Sequence, residues 1–217
     1  MKTLILFFAL LTANATWTPA NATDEKYLKA MESAITAVNS AKSPEAMLTA
    51  ANTLERIAAA EPKEWLPRYW AGYAYTTLSF MEKESAKKDQ YLDKAELLVG
   101  QANELAANND EIAVLQGYIA QGRLMVDPQA RWEKYGQLYG QAFGKAKALN
   151  PENPRVYLLE GRSLMGTPEA YGGGAAKACP VMKMAVDKFA AFKPASSIHP
   201  NWGGETANGI YSSKCGK

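Results

Sequence analysis

Apolar residues recur along the chain from Asp24 onward with the three-to-four-residue spacing of an α-helix. The apolar positions of the first such segment share one helical face and are Leu28, Met31, Ile35 and Val38. Alanine is abundant and runs of β-branched residues are few, so composition also favours helix over strand. The pattern therefore predicts an all-α chain.

A second helix is predicted to begin directly after Ser43. The Ser43 side chain suits the N-cap position, and Pro44 suits the first helical position. The apolar stripe that follows is Met47, Leu48, Ala51, Leu54, Ile57 and Ala58. Glu61 and Pro62 then end the segment. Helices of this length joined by short turns form antiparallel hairpins.

Helix ends recur every 43 to 45 residues, which indicates a repeat. These ends lie at Pro62, about Ala107, Pro151 and Pro194. Roughly ten residues after the first three ends, a glycine stands inside a helical segment, at Gly72, Gly117 and Gly161, and Gly204 falls in the same register. A helical glycine costs about 1 kcal/mol relative to alanine. Its repetition in register predicts a point where two helices cross closely.

These units resemble tetratricopeptide repeats over most of residues 24–194. The clearest unit carries the small, proline, aromatic and glycine positions of that family at Ala146, Pro151, Tyr157 and Gly161, and an earlier unit matches at Ala50, Leu54, Pro62 and Gly72. The family repeats every 34 residues, whereas this chain repeats about every 44. The extra residues fall between the two helices of each unit, so either the helices or the loops between them are longer.

The resemblance implies a solenoid of about four helical hairpins, in which the first helix of each unit lines a concave face. On this register the face holds Tyr69, Tyr73, Val114, Tyr118, Gln121, Arg155 and Arg162. Tyrosine and arginine are favoured contact residues at interfaces. We therefore expect a non-enzymatic scaffold that binds a protein or peptide partner in this groove. The alternative is a protein that binds a small solute and is associated with a transporter.

The N-terminus has the layout of a cleavable secretory signal peptide. Lys2 precedes an apolar run from Leu4 to Leu11 that is too short to span a bilayer. Small-residue cleavage sites follow at Ala15 and Ala22, and the second is preferred because the first leaves a very short peptide. We expect residues 1–22 to be the signal peptide and the protein to be exported. An uncleaved anchor is the alternative.

The predicted repeat domain spans residues 23–195, and residues 196–217 are expected to form a C-terminal cap with a short helix from about Asn201 to Ser212. Two cysteines are present, Cys179 and Cys215, and an exported chain meets an oxidising compartment in which they can pair. The alternatives are two unpaired thiols or a metal site formed with His199, whose spacing matches no compact ligand pattern.

Chemistry-bearing motifs are scarce in this sequence. The run from Gly172 to Gly174 is interpreted as a long turn, because it lacks the Lys-Ser/Thr of a phosphate loop and follows no strand; an anion site is the alternative. The single histidine, His199, stands beside a proline without a nucleophile motif. The formal net charge is +2, and the sequence contains no cluster of basic residues that would suit binding to nucleic acid. We expect no cofactor, metal or catalytic residue.

Overall fold

The computed structural model describes residues 20–216, and this part of the chain is all-α. It contains nine α-helices and no strand, with the bounds α1 Ala20–Ser40, α2 Pro44–Ala60, α3 Leu66–Met81, α4 Ser85–Leu105, α5 Asp110–Val126, α6 Pro128–Leu149, α7 Pro154–Gly166, α8 Ala175–Ala191 and α9 Gly204–Ile210. The predicted signal peptide, residues 1–22, lies outside the described residues except for its last three, with which α1 begins.

Successive helices pack against one another, and α5 also touches both α3 and α7. By contrast, α4 and α6 pack on α5 and not closely on each other. One continuous apolar core runs from α1 to α9 and includes the fully buried Leu54, Trp70 and Ile112. The predicted start of α2 is confirmed, because Ser43 Oγ accepts a hydrogen bond of 3.2 Å from the Ala46 amide. Within the described residues, no helix is both long enough and apolar enough to pass through a bilayer.

The long repeat has two structural causes. In the second and third units the extra residues are helical, since α4 has 21 residues and α6 has 22. In the unit built from α7 and α8 the extra residues form a loop with one turn of 3-10 helix, Glu169–Tyr171. Longer helices therefore account for the units that contain α4 and α6, and a longer loop accounts for the unit of α7 and α8.

Three in-register glycines mark the points of closest approach within the hairpins. A Cβ atom added at Gly72 would lie 2.5 Å from Val99 on α4, and one at Gly161 would lie 2.8 Å from Met182 on α8. At Gly117 an added Cβ would overlap the ring of Phe143 on α6. The predicted packing role is thus confirmed at these three positions. Gly204 differs, because a Cβ there would make ordinary contact with Phe189 at 3.6 Å.

The turn between α7 and α8 requires each of its three consecutive glycines for a local reason. Gly172 and Gly174 have φ angles of 86° and 91°, in the region that side chains other than glycine rarely adopt. Gly173 packs so closely on the backbone carbonyl of Thr167 that an added Cβ would collide with it. The three amides donate to backbone carbonyls, in order those of Glu169, Pro168 and Leu164. These amides are therefore engaged within the turn and do not point at an anion.

A disulfide joins Cys179 on α8 to Cys215 near the C-terminus, across a sequence separation of 36. The pairing prediction is confirmed, and a metal site that uses both thiols is excluded. The predicted capping helix begins later than expected, because α9 starts at Gly204 and continues as a π-helical turn, Tyr211–Cys215. Trp202 consequently lies in the extended stretch before α9.

We expect Gly117→Ala to destabilise the protein by about 1–3 kcal/mol, because the added methyl group overpacks the crossing with the buried Phe143 ring. Gly100→Ala on α4 is the matched control. No heavy atom lies within 4 Å of a Cβ added at Gly100, so its higher helix propensity should stabilise by up to about 1 kcal/mol. Urea unfolding followed by circular dichroism measures both changes. Equal effects of the two substitutions would contradict the packing role of Gly117.

Candidate functional site

The face lined by α3, α5 and α7 is covered by the chain's own C-terminal segment, residues 195–203. Trp70 Nε1 on α3 donates a 2.8 Å hydrogen bond to the carbonyl of Ile198. Arg155 on α7 donates through Nη2 to the carbonyl of Pro200 at 2.5 Å. Both donors are fully buried. The segment is therefore anchored at two points inside the face that sequence analysis predicted to be open.

Trp202 fills the centre of this face. Its indole N–H donates a 3.0 Å hydrogen bond to the hydroxyl of Tyr69. Its ring stacks on Tyr73 with centroids 4.7 Å apart, and Tyr118 stacks on it from α5 at 6.0 Å. Only 7% of Trp202 is exposed. The sequence analysis did not predict that a residue of the C-terminal cap occupies this face.

A buried ion pair underlies the covered face. Arg155 Nη1 lies 2.8 Å from Glu111 Oε1 on α5, and Asn153 donates to the same oxygen at 2.9 Å. Burial raises the pKa of Glu111 to about 7, against the opposing effect of the Arg155 guanidinium. The guanidinium also lies 5.3 Å from the centroid of the Trp202 ring. Arg155 thus pairs with Glu111, donates to the Pro200 carbonyl and contacts the Trp202 ring.

The seven predicted groove residues share one face, but most of that face is interior. Tyr69, Val114 and Arg155 are fully buried, and Tyr118 is nearly so. The other three, Tyr73, Gln121 and Arg162, are partly exposed. The prediction of an open groove is therefore wrong for Tyr69, Tyr118 and Arg155, because the C-terminal segment packs on them. That any of the seven contacts a partner stays a prediction.

A cavity of about 370 Å³, open to solvent, lies on the opposite side of α5, between α4 and α6. Its lining residues come from these three helices and are Glu96, Gly100, Gln116, Ile119, Ala120, Tyr135, Leu138, Gln141, Ala142 and Lys145. The volume lies within the range of about 300–1,000 Å³ that is usual for ligand pockets. We call this cavity the outer groove.

The outer groove has an apolar floor and a polar rim. Ile119 and Ala120 of α5 are buried beneath it, and Leu138 of α6 is exposed along its side. Lys145 is exposed at the rim, while Gly100 leaves the α4 wall without a side chain. An apolar surface with a few polar groups suits a largely apolar small molecule.

The acidic residue of the groove, Glu96, shares one arginine with two other carboxylates. Arg123 on α5 donates from Nε and Nη2 to the two Glu96 carboxylate oxygens, at 3.0 and 3.1 Å. The same guanidinium also binds Asp89 and Asp93 of α4. Arg131 of α6 and Arg123 hold the pKa of Asp89 at about 2. This network fixes the three walls of the groove relative to one another.

Sequence reasoning missed the outer groove, although a signal was present. Leu138 lines the groove and is a large apolar residue that α6 leaves 43% exposed. The groove also depends on the separation of α4 and α6, which no local pattern encodes.

A second cavity of about 320 Å³ lies between α8 and the C-terminal segment. Phe189 and Phe192 supply apolar walls, while Asn201 and Asn208 supply polar ones. Part of its wall is thus the segment that covers the concave face. The shape of this second cavity therefore depends on the position of the C-terminal segment.

The single histidine does not form part of a catalytic or metal-binding cluster. His199 Nδ1 lies 2.7 Å from Ser196 Oγ, and the ring packs edge-on against Trp65. Burial lowers the pKa of His199. Within residues 20–216, no group of three or more histidine, cysteine or acidic side chains has a metal-binding arrangement. His199 instead helps to seat the C-terminal segment against α3.

We expect Trp202→Ala to lower the free energy of unfolding by about 3–5 kcal/mol, because it empties a buried aromatic site and removes the hydrogen bond to Tyr69. Trp132→Ala is the control, since 66% of Trp132 is exposed, and it should change stability by no more than about 0.5 kcal/mol. Chemical denaturation measures both. A loss below about 1 kcal/mol for Trp202→Ala would show that the segment is not part of the core.

No model of a known protein family matches the chain, and no curated protein matches it either. Among solved structures, the HusA haemophore from Porphyromonas gingivalis is similar in fold, with a TM-score of 0.78. The sequences are 32% identical, and the match covers 88% of this chain and 93% of that chain. The similarity therefore extends over nearly the whole of both molecules and includes the sequence as well as the fold.

Proposed function

This chain belongs to the same protein family as the HusA haemophore, and from this premise we propose that it is an exported, non-enzymatic protein that binds haem or a closely related tetrapyrrole. The observation that carries the proposal is the 32% identity over 93% of the haemophore chain. The proposal corresponds to the small-solute alternative of the sequence analysis and names the class of solute.

The structure supports a small ligand over a protein partner. Residues 195–203 cover the face on which a protein or peptide was expected to bind, whereas the outer groove offers a cavity of ligand size. A protein or peptide partner remains the second candidate, favoured by the partly exposed Tyr73, Gln121 and Arg162. It ranks lower because the neighbouring residues of that face are buried.

We further propose that the hairpins form a tetratricopeptide-like solenoid, which the glycine contacts at three equivalent crossings support. Residues 1–22 are proposed to be a signal peptide, residues 23–195 the repeat domain and residues 196–217 its cap. The disulfide between Cys179 and Cys215 supports export, since such bonds persist in oxidising compartments.

We expect the purified protein to bind haemin saturably and with 1:1 stoichiometry, with a Kd near or below about 1 µM, which corresponds to about −8 kcal/mol. Titration followed by absorbance in the Soret region measures this. An unrelated all-α protein of similar size controls for the non-specific adsorption of haemin. Binding that does not saturate, or that matches the control protein, would contradict the proposed function.

A further inference from the structure

We propose that the end of the concave face beyond Trp202 is a second binding site, which takes a carboxylate group carried on an apolar or aromatic body. Arg162 is the residue that binds the carboxylate, and Tyr73, Phe80 and Tyr118 surround it. We call these four residues the Arg162 recess. The recess lies across α5 from the outer groove and takes a different ligand, so the inference goes beyond the proposed function and does not depend on haem binding.

Among the arginines, Arg162 is the one without a partner in the described part of the chain. The sequence contains six arginines. The other five each donate a hydrogen bond to an oxygen atom, and they are Arg56, Arg68, Arg123, Arg131 and Arg155. Arg162 is half-buried, yet it makes neither a hydrogen bond nor an ion pair with any of residues 20–216. A guanidinium that is partly withdrawn from water gains from an anionic partner.

A second arginine of the same helix shows what such a side chain binds on this face. Arg155 and Arg162 are seven residues apart on α7 and therefore lie on the same side of that helix. Arg155 donates to the Pro200 carbonyl of the covering segment. The segment then leaves the face, because Gly203, with a φ angle of 106°, turns the chain into α9, which packs on α8. Arg162 thus lies beyond the reach of the segment and keeps its donors free.

Aromatic rings form the walls of the Arg162 recess. The guanidinium carbon of Arg162 lies 5.9 Å from the centroid of the Tyr118 ring. Phe80 stacks on Tyr118 with centroids 5.0 Å apart, and the Tyr73 ring lies 6.3 Å from Tyr118. Trp202 stacks on Tyr73 and closes the covered end. Tyr73 and Phe80 are partly exposed, so their rings are available to an apolar or aromatic group.

The phenols of the recess do not neutralise Arg162. Burial raises the pKa of the Tyr73 hydroxyl, the Tyr118 phenol raises it further, and the Arg162 guanidinium opposes the rise. The Tyr73 hydroxyl therefore lies close enough to both groups to interact with them, and it stays protonated at neutral pH. Because no phenolate forms at Tyr73, the positive charge of Arg162 is left for a ligand.

A carboxylate fits this recess better than a phosphate does. The planar fork of a guanidinium matches the two oxygens of a carboxylate. Arg162 supplies one positive charge, which balances one carboxylate, whereas a phosphate monoester carries about 1.5–2 negative charges at neutral pH. The buried charge of Arg155 is already paired with Glu111. A carboxylate beside an apolar group occurs both in free aromatic acids and at the C-terminus of a peptide, and the recess recognises the chemistry that these two share.

Removing the charge of Arg162 tests the site. The probes are N-acetyl-L-phenylalanine and its C-terminal amide, which differ only in the carboxylate. We expect the wild type to bind the acid at least about fivefold more tightly than the amide, and Arg162→Met to bind both equally weakly. Arg56→Met is the matched control, because it removes the same charge from an exposed position on α2, and it should change either affinity by less than about twofold. Amide NMR titration measures the affinities, and thermal unfolding verifies that both variants are folded.

Three outcomes would overturn the assignment. Equal affinity of the wild type for the acid and the amide would show that no carboxylate is recognised. Equal losses in Arg162→Met and Arg56→Met would show that the effect is one of net charge and not of the recess. Tighter binding of phenyl phosphate than of the acid would show that the ligand class is wrong.

A haemin titration of Arg162→Met separates this inference from the proposed function. We expect the variant to bind haemin as the wild type does, because the recess and the outer groove lie on opposite sides of α5. If the wild type binds no haemin, the proposed function fails while the preference for the acid stands. If Arg162→Met loses haemin binding along with the acid, the recess is not an independent site and the inference fails.

A longer probe distinguishes the two sources of the carboxylate. A hexapeptide that ends in phenylalanine with a free carboxylate is compared with N-acetyl-L-phenylalanine. Binding of the peptide that is at least about tenfold tighter identifies a peptide terminus as the ligand, because further residues then contribute contacts along the face. Equal affinity identifies a free aromatic acid, and both results support the recess. Equal binding of the hexapeptide and its C-terminal amide would contradict it.

Discussion

The packing of α5, α7 and the C-terminal segment depends on the buried Arg155 guanidinium and its bonds to Glu111 and Pro200. This guanidinium is fully buried, and a buried charge is tolerated only when it is paired and hydrogen-bonded. Glu111 supplies the opposite charge from α5, and the Pro200 carbonyl accepts from the other side. The pairing therefore ties α5, α7 and the C-terminal segment together, and removing one partner would leave the other charge buried without compensation.

This constraint decides which surface is open to a ligand. With Pro200 anchored on Arg155, Trp202 falls into the aromatic cluster of α3 and α5, and the concave face becomes interior. The disulfide at Cys215 holds the end of the same segment on α8. The side of the hairpins that carries α4 and α6 is left with an open cavity, and the Arg123 network fixes its walls. Interior charge on one side of α5 thus leaves the open cavity on the other side.

Local patterns in the sequence predicted the local structure well. The Ser43 cap, the three crossing glycines and most of the helix stripes depend on residues within one hairpin, and the structure confirms them. Leu28 of the first stripe is the exception, because it is exposed and Tyr27 packs on the core instead. The cover over the concave face joins residues as distant as Trp70 and Ile198, which lie 128 positions apart, so periodicity contained no information about it. The outer groove likewise arises from the spacing of two helices that meet only through α5. The repeat length alone did not determine whether the extra residues of each unit lengthen a helix or a loop, and the structure shows both.

We propose that the ligand binds on the open side of α5, between α4 and α6, while the C-terminal segment stays in place on the other side. The most direct measurement is an amide NMR titration of the isotopically labelled protein with gallium protoporphyrin, a diamagnetic substitute for haem. We expect shift changes to cluster on the residues of α4, α5 and α6 that line the outer groove, with the signals of residues 198–203 unchanged. Changes centred on Tyr73, Tyr118 and Trp202, together with release of residues 198–203, would contradict it.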